Sequence, residues 1–145
     1  MIDTIDLPVQ HRRSRPSTNL IVGGMSLVGA GLIAAGVALP WFSLFAGLQP
    51  VTALGTLNGT LLLGAAAVAA VLGATTLLAR VRWPRRAMTG LGIVLTAFSA
   101  YLVVGLVTVF REVSADPLVV AQIGPGLGFV VAGSLAVLAT ALLGD

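Results

Sequence analysis

The chain has 145 residues, of which 57% are hydrophobic and only 9% are charged, and its mean hydropathy is +1.05. About a quarter of the residues in a soluble domain are charged, so this composition excludes a soluble globular protein and indicates a membrane protein. The net charge is +3, every basic residue is an arginine, and there is no cysteine. The lack of cysteine excludes disulfides, thiolate metal sites and covalent haem attachment.

Residues 1–18 form a polar segment that precedes the first apolar run. It contains Arg12, Arg13 and Arg15, and prolines at positions 8 and 16 disfavour a continuous helix. We predict a cytoplasmic tail with little structure of its own, which orders against a partner or anionic lipid. Residues 19–145 are predicted to form a single transmembrane domain.

No charged residue occurs between Pro16 and Ala79, which is long enough for two membrane crossings. We predict crossings over about 20–39 and 60–79. The connection between them, 41–57, is apolar but rich in turn residues, and we expect it to lie at the outer interface with at most a half-turn of helix. Trp41 and Phe42 are expected to anchor that interface, as aromatic residues do in membrane proteins.

A cationic loop follows the second predicted crossing. It contains Arg80, Arg82, Arg85 and Arg86 around Trp83, a further candidate interface anchor. The third crossing is predicted over about 87–110 and the fourth over about 125–143, with a short interfacial helix over 117–123 between them. Arg111, Glu112 and Asp116 are the charged residues of that connection, and they are a candidate contact for an extracytoplasmic partner.

The distribution of arginine predicts the orientation of the chain. Seven of the eight arginines lie in the tail or in the 80–86 loop. Cytoplasmic loops are enriched in arginine, so both termini are predicted to face the cytoplasm. The prediction is an all-α, four-helix bundle in the bacterial inner membrane. The same arginines could hold lipid headgroups, so bound phospholipid is possible, and no other cofactor is expected.

Small residues recur every four positions in three of the predicted crossings. Such rows allow helix backbones to approach closely in lipid, where burying leucine gives little energy. Whether each row packs inside the bundle or docks a foreign helix is left open by the sequence. The rows consist of Ser26, Ala30 and Ala34, then Ala65, Ala69 and Gly73, and finally Ala132, Ala136 and Thr140.

None of the predicted crossings contains an ionisable residue, and such residues usually mark ion and proton pathways. The single histidine, His11, lies in the tail, which disfavours haem ligation within the membrane. We therefore predict no catalytic, cofactor-binding or metal-binding residue. The hydroxyl groups within the crossings are expected to bond carbonyls of their own helix. Ser99 and Tyr101 are the best candidates for contacts between helices.

The layout resembles that of small four-span membrane proteins common in actinobacteria. The resemblance rests on the arginine tail, on Pro40-Trp41-Phe42, on Gly-Thr-Leu-Asn-Gly at 55–59 and on Arg-Trp-Pro-Arg-Arg at 82–86. It covers the whole chain and implies an architecture and a lineage. No functional residue is implied by it.

These observations favour a non-catalytic accessory or assembly subunit of a larger inner-membrane complex. Such a subunit would contact other membrane proteins in a hetero-oligomer, and a respiratory supercomplex is the host that the lineage suggests by analogy. A small homo-oligomeric transporter or channel with hydroxyl groups lining its pore is one alternative. A lipid-binding protein of envelope biogenesis, acting through the apolar outer loop, is another. Nucleic-acid binding is not expected, because the arginines flank apolar segments.

Overall fold

A computed structural model of the protein describes residues 16–44, 49–78, 83–114 and 122–143. Helices account for 83% of this part of the chain. The helices are α1 (Pro16–Ala38), α2 (Leu57–Leu78), α3 (Trp83–Ser114) and α4 (Gly126–Leu142), and the strands are β1 (Pro40–Leu44), β2 (Gln49–Thr52) and β3 (Gln122–Ile123).

Three of the helices are long and apolar enough to cross a membrane. The candidate segments are Asn19–Ala38, Leu57–Leu78 and Arg86–Ser114. Twenty residues of helix extend about 30 Å, which matches the hydrocarbon core of a bilayer. Helix α4 is also apolar, but it has only 17 residues. A helical membrane protein is therefore supported, whereas the fourth crossing and the orientation stay predictions.

The four helices form a ring in which each packs against two others. Helix α1 packs extensively against α2 and α4, and α3 packs against α4 and, less extensively, α2. Helices α1 and α4 are antiparallel, because Gly29 faces Gly133 whereas Gly36 faces Gly126. The buried core of the bundle is aliphatic and includes Ile33, Val37, Leu62, Leu95, Val130 and Val137.

A three-stranded antiparallel sheet lies at one end of the bundle, so the all-α prediction is wrong in this detail. Its strand order is β2-β1-β3, and Phe42 in the central strand pairs with Val51 on one side and Ile123 on the other. The sheet thereby joins the connection between α1 and α2 to the connection between α3 and α4. Backbone groups near a bilayer need partners, and in an uncharged loop the neighbouring strands supply them.

The sheet also corrects the predicted local structure of both connections. The connection after α1 is a β-hairpin instead of turns with a half-turn of helix. Ile123, the predicted end of an interfacial helix, lies in β3. Gln122 also lies in β3, and residues 117–121 of that predicted helix lie outside the described residues. Pro50 is in the edge strand β2, where the missing proline N–H does not interrupt the sheet.

The helix ends differ from the predicted boundaries by a few residues. Helix α2 begins at Leu57 because Thr56 caps it: the Gly59 N–H donates to Thr56 Oγ1 at 3.0 Å. Gly55, with φ of 78°, reverses the chain just before this cap. Helix α3 extends beyond the predicted 87–110 at both ends. Its 32 residues span about 48 Å, well beyond a hydrocarbon core of roughly 30 Å.

Candidate functional site

Among the described glycines, helix backbones approach most closely at a glycine seam between α1 and α4. A Cβ atom added at Gly29 would lie 2.8 Å from the carbonyl oxygen of Gly133, and one at Gly36 would lie 2.7 Å from that of Gly126. Real Cβ atoms do not approach this closely, so the backbones touch where only glycine fits. Each helix contributes two glycines two turns apart, at 29 and 36 and at 126 and 133.

The seam glycines fall outside the predicted rows, because those rows are spaced by four residues. The signal that marks the seam in the sequence is a spacing of seven, which keeps positions on one face when helices cross at a shallow angle. Large aliphatic side chains fill the spaces between the glycines. Ile33, Val37, Val130 and Val137 are each 0% exposed there.

The predicted small-residue rows lie partly inside the bundle and partly on its surface. Ser26 and Ala30 of α1 are buried, and so are Ala69 and Gly73 of α2. Ser26 Oγ donates a hydrogen bond of 2.9 Å to the Ala69 carbonyl oxygen and joins α1 to α2. Thr140 of α4 is also buried, Ala65 and Ala136 are half-buried, and Ala34 and Ala132 face outward.

A second hydroxyl contact joins α3 to α4. The Oγ atoms of Ser99 and Ser134 are 2.7 Å apart, and both residues are buried. The predicted contact of Ser99 with another helix is thus confirmed. Tyr101, its companion in that prediction, is instead 69% exposed and stacks on Phe98 of its own helix, with ring centroids 6.3 Å apart. Two residues advance a helix by about 200°, so Ser99 and Tyr101 cannot share a face.

The coupling between Ser99 and Ser134 can be measured with a double-mutant cycle. We expect Ser99→Ala and Ser134→Ala to show a coupling of about 0.6 kcal/mol, the average for hydrogen bonds between membrane helices. The measurement is the unfolding free energy of both single variants and the double variant in mixed micelles. Thr108→Ala is the control, because Thr108 is exposed and donates only to Val104 of its own helix. Additive effects of the two serine substitutions would contradict the contact.

Five threonines of the helices bond within their own helix, as the sequence predicts. Thr75, Thr76, Thr96, Thr108 and Thr140 each donate to a carbonyl three or four residues earlier. Within the described ranges, every buried side-chain oxygen and nitrogen has a hydrogen-bond partner. The protons of these hydroxyls are thus used within their own helices, which disfavours a pore that they would line.

Trp41 closes the sheet-bearing end of the bundle. Its side chain is only 8% exposed, and its indole N–H donates to the carbonyl oxygen of Gly36 at 2.9 Å. In a continuing helix that carbonyl would accept from residue 40, but Pro40 has no N–H. The register of β1 is irregular between Pro40 and Phe42, and bulges of this kind redirect side chains.

The burial of Trp41 differs from the predicted ring at the lipid interface. The indole lies against α4, where a Cβ atom at Gly126 would be 2.6 Å from Trp41 Cδ1. The Gly36 carbonyl lies in the last turn of α1, where helix carbonyls lack a partner within the helix, and the indole N–H supplies that partner. Phe42 is half-buried. The backbone of Trp83 begins α3, and its side chain lies outside the described part of the structure.

The predicted charged sites fall at opposite ends of α3. Arg86 is exposed near its start, and Arg111 and Glu112 are exposed near its end. The remaining predicted charged positions have no described side chain: Arg12, Arg13, Arg15, Arg80, Arg82, Arg85 and Asp116. The contact of Arg111, Glu112 and Asp116 with an extracytoplasmic partner therefore stays a prediction.

Helix α1 carries a second set of small residues on the face away from α4. We call Gly24, Gly31 and Ala38 the outer row, because they succeed one another every two turns along that face. A Cβ atom added at Gly24 or Gly31 would meet nothing within 4 Å. Gly31 and Ala38 are exposed and Gly24 is half-exposed. Packing among the described residues therefore does not require glycine at either position.

No protein-family model, curated protein or solved structure matches this chain. Its function is therefore inferred from its own residues and contacts.

Proposed function

We propose that the protein is a non-catalytic accessory subunit that docks helices of other membrane proteins in the bacterial inner membrane. The observation that carries the proposal is the outer row of α1, where no contact with the described part of the chain explains the presence of glycine. A membrane complex that incorporates this subunit would cover the row with a helix of another chain.

Helix α1 carries small residues with the same spacing on two opposite faces, which supports a docking role for the outer row. The inner face uses Gly29 and Gly36 to bring the α4 backbone into contact. The outer row repeats the spacing of seven with Gly24, Gly31 and Ala38. Glycine within a helix costs about 1 kcal/mol relative to alanine, and in membranes small residues favour close helix association.

The polar groups of the bundle support a binding role over a catalytic or transport role. The buried hydroxyls of Ser26, Ser99 and Ser134 join helices to one another, and the threonines bond their own helices. Within the described residues, every buried hydroxyl already has a hydrogen-bond partner, so none is left unpaired to bind a substrate or an ion. A respiratory supercomplex is the host that the sequence resemblance suggests.

Purification of the full chain in mild detergent, with mass spectrometry of the chains that co-purify, tests the proposal. We expect the wild type to retain at least one other membrane protein and Gly31→Leu to lose it by at least about tenfold, equivalent to ~1.4 kcal/mol. A side chain at position 31 meets none of the described residues, so helix content and thermal stability should stay unchanged.

Gly128→Leu is the matched control for Gly31→Leu. Gly128 is an exposed helical glycine of α4 with nothing within 4 Å of an added Cβ atom, and it lies outside the outer row. The control should retain the partner at the wild-type level. Recovery of the wild type as a lone monodisperse protein would refute the proposal, as would equal losses in both variants.

A further inference from the structure

Helix α3 carries a regular row of exposed residues on the side that faces away from α4. The buried side of the helix includes Leu95, Ser99 and Leu102, and Ser99 contacts α4. On the opposite side, residues that are alternately four and three apart are all exposed, and this spacing keeps them on one face of a helix. We call this set the tyrosine face, and it consists of Gly90, Val94, Ala97, Tyr101, Val104 and Thr108.

The spacing of the tyrosine face is that of a coiled-coil seam. Residues that alternate by four and three form a continuous line along which two helices pack at a shallow crossing angle. Val94 and Val104 are 65% and 66% exposed, and a Cβ atom added at Gly90 would meet nothing within 4 Å. The described residues of the chain therefore leave this seam uncovered.

Tyr101 lies within the tyrosine face and close to the middle of the candidate membrane segment Arg86–Ser114. Its side chain is 69% exposed. Among the described residues its ring stacks on Phe98, and its phenol O–H has no hydrogen-bond partner. Tyrosine is common where its O–H reaches water, whereas an unpaired hydroxyl is costly in the hydrocarbon core. A second tyrosine removes this cost, because a phenol both donates and accepts hydrogen bonds.

The charged residues that follow the tyrosine face complement those of a second copy of the chain. Arg111 comes three residues after Thr108 and so continues the seam, and Glu112 is next to it. Both side chains are exposed, and neither forms an ion pair with a described residue. When two parallel α3 helices are related by a two-fold axis, equivalent residues face each other, which places each Arg111 beside Glu112 of the second copy. A second copy thus supplies a partner for the phenol and for both charges.

We propose that the tyrosine face joins two copies of the chain in a parallel dimer, with α3 packed against α3. The distribution of arginine predicts one orientation in the membrane for every copy, so the two helices run parallel. Helix α1 packs against α2 and α4 and lies across the ring from α3, so the dimer does not cover the outer row of α1. Dimerisation therefore neither requires nor prevents the docking of another protein at that row.

Energy transfer between labelled copies of the full chain in liposomes tests the dimer. The chain has no native cysteine, so dyes are attached through Asn58→Cys, an exposed position at the start of α2. Dilution of the protein with lipid gives the dissociation constant. Tyr101→Phe removes only the O–H, and it should weaken the dimer about threefold, the average effect of a hydrogen bond between membrane helices.

Charge reversal distinguishes a second copy from any other partner. Glu112→Arg and Arg111→Glu should each weaken the dimer about tenfold, because the two-fold axis turns two attractive contacts into repulsive ones. A mixture of the two variants should dimerise as tightly as the wild type, since one copy then carries two positive charges and the other two negative charges. Both positions are exposed, so helix content should stay unchanged.

Cysteine crosslinking identifies the face that meets the second copy. Ala97→Cys should form a disulfide-linked dimer under mild oxidation. Ala132→Cys is the matched control, because Ala132 is an exposed alanine of α4 at similar depth, two residues before the Ser134 that meets Ser99. Equal crosslinking at the two positions would overturn the proposal, as would a lack of energy transfer at every protein density. A mixture of charge variants no tighter than either alone, or an unchanged dissociation constant in Tyr101→Phe, would overturn it too.

Discussion

Trp41→Ala will strongly destabilise the end of the bundle that carries the sheet. Replacing a buried tryptophan with alanine costs about 3–5 kcal/mol through lost burial and the cavity that remains. The same change leaves the Gly36 carbonyl without the indole N–H that it accepts, and Pro40 cannot replace that donor. The measurement is the unfolding free energy in mixed micelles, followed by far-ultraviolet circular dichroism.

Trp41→Phe separates the hydrogen bond from the packing. Phenylalanine keeps much of the apolar ring but has no N–H, so the expected loss is about 1–3 kcal/mol from the unpaired carbonyl. Phe42→Ala is a useful neighbour for comparison, because Phe42 is only half-buried. A Trp41→Ala variant as stable as the wild type would show that the indole faces lipid and does not cap α1.

Gly133→Ala is expected to force α1 and α4 apart. The added Cβ atom would lie 2.6 Å from the Gly29 carbonyl oxygen and 2.9 Å from the Ile33 backbone nitrogen, so no side-chain rotation relieves the contact. Overpacking of this kind costs about 1–3 kcal/mol. At an ordinary helix position, alanine would stabilise the protein by about 1 kcal/mol relative to glycine. A loss of stability in Gly133→Ala therefore identifies position 133 as part of the seam.

Gly31→Ala and Gly128→Ala are the controls on the same two helices. A Cβ atom at either position meets nothing within 4 Å, so the substitutions should be neutral or slightly stabilising. Unfolding free energies of all three variants are compared under identical micelle conditions. If Gly133→Ala proved as stable as these controls, α1 and α4 would have to be farther apart than the seam requires.

The membrane helices could be predicted from the sequence because length and hydropathy decide them. The charge-free stretch predicted crossings at 20–39 and 60–79, and the corresponding helices are Pro16–Ala38 and Leu57–Leu78. The exact ends of these helices were harder to predict from the sequence, since they depend on local hydrogen bonds. The start of α2 depends on the hydroxyl of Thr56, and α1 ends where Pro40 removes a backbone donor.

The sheet could not be predicted because its strands are very short and their pairing is not local. Strand β3 has two residues, too few for any alternation of polar and apolar side chains to be visible. Its partner β1 lies on the far side of two long helices in the sequence. By contrast, the glycine spacing of seven at 29, 36, 126 and 133 is visible in the sequence, but Gly24 and Gly31 share it, so the spacing marks candidates and does not identify the seam.

The positions of the small residues in the bundle also show how much a row of small residues in the sequence can predict. A row in the sequence predicts that some helix surface is smooth, but it does not distinguish Ala30, which is buried, from Ala34, which faces outward. That distinction depends on which neighbours the helix acquires in the bundle. The candidate docking surface is therefore visible only once the contacts inside the chain are known.

The sheet has a consequence for the order in which the protein is assembled during synthesis. Strands β1 and β2 are neighbours in the sequence, whereas β3 is synthesised only after α2 and α3, so the second edge of β1 can receive its partner only late in synthesis. Until then, β1 presents unpaired backbone groups beside the membrane. An assembly intermediate with an open strand edge is thus built into the chain order, and synthesis of β3 closes it.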